Sequence, residues 1–318
     1  MLHAYRIESN QLAECDPAAA AVLAYGRLAE GEKEEIQRAF DLDPFDLESV
    51  SDPDEVPRLE TTPDSAFLVW KCPDNVTRGE TIQFNVSSLG IAIRGGKAAF
   101  IHPGEDFILS GREFKHVASV WEAILRVFLS TIHHYQGHLK AIKMMSQDLQ
   151  AKLEKSMENK YFLQMFTLGE SLVYYHNALE SNGVVLSKLR AAAERLRLAG
   201  EEIELLDDIL IENQQAIKQA SIYSSVLSGL MDARGNIINN NMNVLLKNLT
   251  LINVVFLPLN LIASIGGMSE FSMMTQHLDW RISYALFGLG MAVLGVFTWW
   301  WLVKVLERNQ DRKPRRVS

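Results

Sequence analysis

The C-terminal part of the chain contains two long hydrophobic runs that no charged side chain interrupts. The first covers residues 249–266, the second covers residues 283–303, and sixteen residues (267–282) lie between them. At about 1.5 Å per helical residue, each run is long enough to cross a hydrocarbon layer of about 30 Å, the first only barely. A buried core helix is the alternative for either run alone. Two such runs so close together favour a pair of transmembrane helices.

The flanks of these runs predict the orientation of the chain. The segment 304–316 has six Lys or Arg residues, whereas the loop 267–282 has only Arg281. Basic residues are enriched on the cytoplasmic side of a membrane, and Trp residues such as those at 299–301 at its interface. We expect no signal peptide, because no basic segment precedes the alanine-rich run 18–24. The sequence therefore predicts a multi-pass protein of the cell inner or plasma membrane with both termini in the cytoplasm.

The residues before the apolar runs predict an α+β cytoplasmic domain. Short β-rich runs separated by turn residues occupy 66–109, and an Ala-rich helix is expected near 17–40. No proline occurs in the 154 residues from 104 to 257. Proline-free sequence with helical apolar spacing indicates long helices, which we expect from 116 to about 159, then to about 198, and from 199 onward.

The predicted fold class is therefore α+β: a small sheet plus long helices, continuing through a stalk helix into two C-terminal transmembrane helices. The expected divisions are a cytoplasmic domain (1–198), a stalk helix (199–248), the first transmembrane helix (249–266), an external loop (267–282), the second transmembrane helix (283–303) and a basic cytoplasmic tail (304–318). The small residues Ala285, Gly288, Ala292 and Gly295 predict the face on which the second membrane helix packs against the first.

A polar stripe runs along the third long helix. Positions counted backwards from residue 264 in steps of three and four share one helix face, and eight of these ten are polar. They are Asp232, Asn236, Asn239, Asn243, Leu246, Thr250, Asn253, Leu257, Asn260 and Ser264. Interhelical hydrogen bonds would explain one or two polar residues in a membrane, but so long a stripe favours a water-filled lumen. Two helices cannot enclose a lumen, so several copies of the chain are expected to surround a common axis.

The chemistry of the stripe favours a hydrated cation. Its membrane part has no Lys or Arg to attract an anion, and no Asp, Glu, His or Cys to bind a naked soft ion. Asn amide oxygens suit a hard cation that keeps its water, as Mg²⁺ does. Leu246 and Leu257 would form apolar constrictions. Asp232 would concentrate cations at the cytoplasmic end, and Glu270 and Asp279 at the outer end.

Three segments of the chain resemble the CorA-type magnesium transporters, the two-span "GMN" family. Residues 43–50 (DPFDLESV) followed by 57–60 (PRLE) are similar to the family's "HPLALEDV…RPKLE" stretch. Residues 256–269 (FLPLNLIASIGGMS) are similar to the end of its first span and its signature. Asp232 and Asn243 fall where the family has an Asp and a pore Asn.

The resemblance implies a homopentameric funnel whose first-span helices line the pore. It implies that the signature loop (Gly267, Met268, Ser269 and Glu270) binds the hydrated cation at the outer mouth. It also implies that acidic residues between subunits bind a regulatory divalent cation. Asp208, or its neighbour Asp207 or Glu212, lies at the matching level of the stalk helix and is the expected ligand. Asp232 is a second expected metal ligand. The alternative is that these residues form a solvated acidic helix face without a metal. No other cofactor is expected.

The signature departs from the family pattern at one position that bears on selectivity. The family has Tyr-Gly-Met-Asn, whereas residues 266–269 are Gly-Gly-Met-Ser. Ser has a shorter hydroxyl in place of the Asn amide. The departure bears against selectivity for Mg²⁺, whereas the resemblance as a whole implies transport of Mg²⁺, with Co²⁺ or Ni²⁺ as further substrates. A zinc transporter similar to ZntB is the first alternative, and a non-conducting membrane scaffold is the second.

Other motifs do not predict catalysis or nucleic-acid binding. No phosphate-binding loop, nucleophile elbow or H-E-x-x-H motif occurs, so no enzyme is expected. The net charge of −8 disfavours nucleic acid as a partner. Cys15 and Cys72 form no metal-binding or disulfide pattern. His133, His134 and His138 have a spacing that permits a two-ligand metal site, but the sequence favours a solvated or packed pair.

Overall fold

The structure, a computed structural model, describes residues 2–52, 54–62, 64–74, 76–78, 81–104, 108–155, 158–274, 277 and 279–310. It divides into two compact units, residues 1–231 and residues 232–318. The described residues form nine strands, which are β1 (Leu2–Glu8), β2 (Gln11–Glu14), β3 (Val22–Gly26), β4 (Arg58–Thr61), β5 (Ser65–Pro73), β6 (Thr77–Arg78), β7 (Ile82–Gln83), β8 (Val86–Arg94) and β9 (Lys97–His102). The same described residues form seven α-helices, which are α1 (Glu30–Phe40), α2 (Pro44–Ser51), α3 (Val120–Lys155), α4 (Asn159–Ala191), α5 (Gly200–Gly266), α6 (Ser269–Met274) and α7 (Trp280–Gln310).

A seven-stranded sheet forms the centre of the first unit, in the order β2-β1-β3-β9-β8-β5-β4. Neighbouring strands are antiparallel except β3 and β9, which are parallel with Val22 opposite Ala98. Successive residues of β5 point to opposite faces, as strand geometry requires. Leu68 and Trp70 pack with α3 and α4 on one face, whereas Phe67 and Val69 pack with α1 and α2 on the other. The sheet is therefore covered by helices on both sides.

The N-terminal residues form strands where the sequence predicts a helix. The Ala-rich helix expected near 17–40 is wrong: a short 3₁₀ turn is followed by β3, and only α1 is helical. β3 lies between β1 and β9, with Val22 and Ala24 completely buried. Burial and ladder pairing in the centre of a sheet outweigh the high helix propensity of alanine in this stretch. The preceding hairpin, which turns at Ser9 and Asn10 with φ of 49° and 60°, also has no counterpart in the sequence prediction.

The extended region predicted at 66–109 is confirmed by β5, β8 and β9, whereas Ile108–Ser110 form no strand. β8 continues through Gly90 without a break. A Cβ atom at Gly90 would lie 2.4 Å from Cγ2 of Val50 in α2. Glycine at this position therefore lets α2 pack directly on the strand.

The long helices follow the proline-free sequence. α3, α4 and the start of α5 confirm the three predicted helices, with bounds within four residues except at the end of α4, which lies at Ala191 and not near residue 198. The fold class is confirmed as α+β with two apolar C-terminal helices. The predicted division into stalk, spans, loop and tail stays a prediction. Four of the six basic residues of the predicted tail (Arg312, Lys313, Arg315 and Arg316) lie outside the described residues.

Candidate ion pathway

α5 and α7 are the two described helices that are long and apolar enough to cross a membrane. Within the apolar window of each helix, only 6 % of the residues in α5 and none in α7 are buried inside the chain. Exposed apolar surface on this scale requires a lipid or protein neighbour. The apolar surfaces of the helices in the second unit are therefore left uncovered by the chain itself.

One face of α5 packs against α7. Leu251, Val255 and Ile262 are half-buried on this face, and Gly266 is buried. Leu259, on the same side of the helix, lies near Gly295, where a Cβ atom would be 3.3 Å from the leucine Cδ1. At Gly266, a Cβ atom would lie 2.4 Å from Cζ of Phe287, so the phenylalanine ring occupies the space that glycine leaves.

The small-residue face predicted for α7 is wrong at three of its four positions. Ala285, Gly288 and Ala292 are exposed, and a Cβ atom at Gly288 would have no neighbour within 4 Å. Only Gly295 faces α5. The inward row of α7 is instead Ser283, Phe287, Met291, Gly295 and Thr298. The close approach of α5 and α7 depends on a glycine of α5, because the large Phe287 ring packs against Gly266.

The polar stripe lies on the opposite side of α5. At about 100° per residue, the positions centred on Asn253 are roughly 180° around the helix from those centred on Leu251 and Val255. All ten predicted pore residues lie in α5 and are exposed, including the apolar Leu257 at 68 %. The stripe is therefore the face that the chain's own second apolar helix does not cover.

The hydrogen bonds of the stripe also leave it open. Thr250 donates its hydroxyl to the carbonyl of Leu246 at 2.8 Å, within its own helix. Among the residues that the structure describes, the side chains of Asn253, Asn260 and Ser264 have no hydrogen-bond partner. An unpartnered amide in hydrocarbon is costly. These side chains consequently require water or another chain.

The segment of the predicted signature closes α5 and opens a short helix. The backbone N–H of Gly267 donates to Ala263 at 3.0 Å and that of Met268 to Ile265 at 3.1 Å. Met268 and Ser269 are exposed, and α6 begins at Ser269; the side chain of Glu270 lies outside the described residues. Gly266 stands where the resembled pattern has Tyr, and the ring of Phe287 from α7 lies against it. An aromatic ring is thus present beside the signature although its own sequence lacks one.

The ends of α7 have the features of a membrane interface. Asp279 caps the first turn, since its Oδ1 accepts from the N–H of Arg281 at 3.0 Å. The Arg281 guanidinium lies over the Trp280 ring at 5.4 Å, and Lys304 Nζ lies over the Trp300 ring at 4.6 Å. Paired aromatic and basic side chains are typical of residues at the lipid headgroup level. The carboxylate of Asp279 is engaged in this helix cap. The role expected for Asp279 in attracting cations stays a prediction.

The acidic side chains considered as metal ligands are dispersed. Asp208 is exposed, whereas Asp207 accepts from Arg190 at 2.7 Å and 3.3 Å. Glu212 accepts from the amide of Gln136 at 2.8 Å. Within the described part of the chain, no three His, Cys, Asp or Glu side chains come together to hold a metal ion. Metal binding by Asp208 or Asp232 stays a prediction, and it would require ligands from further copies.

The two parts of the first resembling stretch, residues 43–50 and 57–60, meet in the first unit. Arg58, from the second part, lies 3.4 Å from Asp46 Oδ1 and 3.1 Å from Ser49 Oγ of α2. It also pairs with Glu55 and with Glu60. These groups hold α2 against the edge of the sheet at β4. The short motifs therefore have a structural role in positioning α2.

One polar face of α4 was not anticipated from the sequence. Gln164, Ser171 and Asn182 lie on the same side of this helix, and each binds backbone groups of the extended segments opposite. Gln164 exchanges two 2.8 Å hydrogen bonds with Ile82, Ser171 Oγ accepts from Phe84 at 3.2 Å, and Asn182 exchanges bonds of 2.9 Å and 2.8 Å with Lys71. Spacings of seven and eleven residues, close to whole helical turns, are the signal that could have revealed the shared face.

In the predicted histidine pair, His138 is half-buried and His134 is exposed. His134 Nε2 lies 3.1 Å from His138 Nε2, and His138 Nδ1 lies 2.6 Å from the hydroxyl of Tyr175. Burial lowers the pKa of His138 to about 4, with a further contribution from His134. Burial also lowers the pKa of His134. His133 points elsewhere, with Nδ1 3.3 Å from Glu113 Oε1.

Comparison with known proteins identifies the family. The model of the CorA-like Mg²⁺ transporter proteins matches residues 23–308. The cobalt/magnesium transport protein CorA of Methanocaldococcus jannaschii is 26 % identical over 237 residues, which cover 70 % of this chain and 72 % of that protein. The solved structure of the complete CorA magnesium transporter from the same organism has a TM-score of 0.72 at 18 % identity, covering 93 % of this chain and 95 % of that one.

A second full-length structure has a similar fold. The CmaX protein superposes with a TM-score of 0.68 at 12 % identity, covering 95 % of this chain and 96 % of that one. Both structures therefore share the fold of this chain over nearly its whole length. The family match spans nearly the whole chain. This chain therefore belongs to the CorA-like Mg²⁺ transporter family, whose members are channel-like membrane transporters of divalent cations and not enzymes.

Proposed function

We propose that this chain conducts Mg²⁺, with Co²⁺ and Ni²⁺ as further substrates, through the central pore of a homopentamer. The observation that carries the proposal is the polar face of α5, which is exposed and lies opposite the face that packs on α7. A ring of copies that turn this face inward would give each Asn253 and Asn260 water and neighbouring amides. The same arrangement would leave α7 between α5 and lipid.

The subunit number and the substrates are supported by the resemblance and by the relatives. The M. jannaschii relative is described as a cobalt/magnesium transport protein. Rings of amide and hydroxyl oxygens from Asn, Thr and Ser can bind the water shell of a hard cation without removing it. The Leu246 and Leu257 rings would form apolar constrictions that open and close by wetting. A divalent cation is thus the substrate, and acidic residues such as Asp208 and Asp232 would sense it between subunits.

The proposed arrangement in the membrane follows the charge asymmetry. Both termini and residues 1–248 would lie in the cytoplasm of an inner or plasma membrane, with residues 267–282 outside. The basic residue Lys304 beside the Trp300 ring supports a cytoplasmic interface at that end of α7. The signature residues from Gly267 to Glu270 would then form the outer mouth.

Zinc is the second candidate substrate, because Ser269 replaces the amide of the resembled signature. A hydroxyl reaches less far into the mouth and offers one oxygen in place of an amide. The Ser269→Asn variant separates the two substrates. If Ser269 lowers magnesium selectivity, the variant should raise the ratio of Mg²⁺ to Zn²⁺ flux; an unchanged ratio would assign selectivity to the Asn rings instead.

The test is ion uptake into liposomes that contain the purified protein. Mg²⁺, Co²⁺, Ni²⁺ and Zn²⁺ are each offered as substrate and as competitor. Asn253→Leu and Asn260→Leu should abolish most Mg²⁺ uptake, because apolar rings raise the barrier to a hydrated ion. Val254→Leu, on the same helix but off the stripe, is the matched control and should retain uptake. Full activity of both Asn variants would contradict the pore and favour a non-conducting scaffold.

A further inference from the structure

Two imidazole nitrogens converge on one face of α3, far in sequence from the polar stripe. His134 and His138 are one helical turn apart, their ring centroids are 4.3 Å apart, and their Nε2 atoms are 3.1 Å apart. An ion at the usual zinc–imidazole distance of about 2.0–2.1 Å from both nitrogens would see them at an angle of about 95–100°. This angle lies between those of octahedral and tetrahedral ligands. The two atoms are therefore already placed as neighbouring ligands of one ion.

The surroundings of His138 hold its ring in this orientation. Its Nδ1 atom lies 2.6 Å from the Tyr175 hydroxyl, and its ring contacts Phe84 edge-on at 5.2 Å. Tyr175 is completely buried, so its hydroxyl is a fixed partner. Metal-bound histidines usually engage their second ring nitrogen in this way, which fixes the ring and directs the other nitrogen to the ion. Tyr175 thus acts as a positioning residue.

The pair is also accessible and suited to binding. His134 is exposed and borders a cavity of about 260 Å³ that Asp74 and His102 also line. No third His, Cys, Asp or Glu of the described residues completes a cluster. The remaining ligands of a bound ion would therefore be water molecules.

We propose that His134 and His138 bind one borderline transition-metal ion per chain, such as Zn²⁺, Ni²⁺ or Cu²⁺, at a site separate from the pore. Imidazole nitrogens prefer these ions, whereas Mg²⁺ prefers oxygen ligands. The site would therefore discriminate against Mg²⁺ even in excess. It gives the first unit a means to detect ions that differ in chemistry from the proposed main substrate.

Zinc binding to the purified full-length chain in detergent tests the site, by equilibrium dialysis with Zn²⁺ in the presence of excess Mg²⁺. The unchanged chain should bind one more Zn²⁺ per chain than His134→Ala, and His138→Gln should lose the same site. His133→Ala is the matched control, since His133 is adjacent on α3 but faces Glu113, and it should bind as the unchanged chain does. Equal Zn²⁺ stoichiometry in His134→Ala and the unchanged chain would refute the site.

Two further variants separate this site from folding defects and from the pore. Tyr175→Phe removes the orienting hydroxyl and should weaken zinc binding roughly tenfold, within the range for outer-shell partners; unchanged affinity would show that Tyr175 does not position the ring. Since His134 is exposed, its alanine variant should keep the thermal stability of the unchanged chain. Asn253→Leu should retain the zinc site while losing Mg²⁺ uptake, so either proposal can fail while the other stands.

Discussion

Replacing Asn182 by alanine should locally release β5 from α4. Asn182 is completely buried, and its amide both accepts from the N–H of Lys71 at 2.9 Å and donates to the C=O of Lys71 at 2.8 Å. β4 pairs with β5 only from Ala66 to Val69, so beyond that point the asparagine amide takes the place of a paired strand. The Asn182→Ala variant would leave two buried backbone groups without these partners.

The expected cost follows from the two lost hydrogen bonds. A buried polar group left unsatisfied costs about 1–3 kcal/mol, so the opening of β5 at Lys71 should become easier by about 2–6 kcal/mol. Hydrogen–deuterium exchange of the peptide that covers residues 67–73, in the purified full-length protein, measures this opening free energy. Asn177→Ala is the control: Asn177 is exposed on the same helix, and its change should stay within about 0.5 kcal/mol. A change below 0.5 kcal/mol for Asn182→Ala as well would refute the role of the amide.

Three further predictions concern packing and charge. Gly90→Ala places a methyl group 2.4 Å from Val50 Cγ2 and should lower the stability of the folded chain by about 1–3 kcal/mol through overpacking. Gly229→Ala, with no neighbour within 4 Å, is the control and should not lower the thermal midpoint. Equal midpoints for the two variants would contradict the close contact. Arg58→Ala leaves the half-buried Asp46 and Glu55 carboxylates without their cation and should lower the free energy of chemical unfolding by about 1–3 kcal/mol. Arg58→Lys keeps the charge and should recover part of that free energy. Equal losses of stability in both variants would show that the charge contributes nothing. Gly266→Tyr should disrupt the contact of α5 with Phe287 and lower the thermal midpoint. Adding Phe287→Ala to the same chain should restore the midpoint, because it vacates the space for the tyrosine ring. Additive decreases in the midpoint would show that the two side chains do not share this space.

The sequence predicted well those features that repeat along one helix. The two apolar runs and the proline-free stretch each supply many residues with the same preference, so α3, α4, α5 and α7 could be placed from the chain alone. The polar stripe was predicted on the same principle, and the structure leaves this face uncovered by α7. These patterns are local, and none of them depends on knowing which distant segment packs against the helix.

Features that depend on long-range pairing could not be predicted in the same way. The run 18–24 is rich in alanine, a good helix former, but residues 22–26 become a strand because β1 and β9 flank them. The Asn182 tether joins residues that are 111 positions apart, and nothing near Asn182 marks its partner. Three of the four small residues of α7 also misled, because the small residue at the Phe287 contact is Gly266 on the other helix.

The central claim is that the face of α5 around Asn253 and Asn260 is wet because several copies surround a common axis. Single cysteines at these two positions, in a chain whose own Cys15 and Cys72 are replaced, report this directly through their reaction with a charged, water-borne thiol reagent. The account predicts rapid modification at both positions in liposomes, and protection at Val296→Cys, which faces outward on α7 with 70 % exposure. Protection at Asn253 and Asn260 equal to that at Val296 would contradict a water-filled pore.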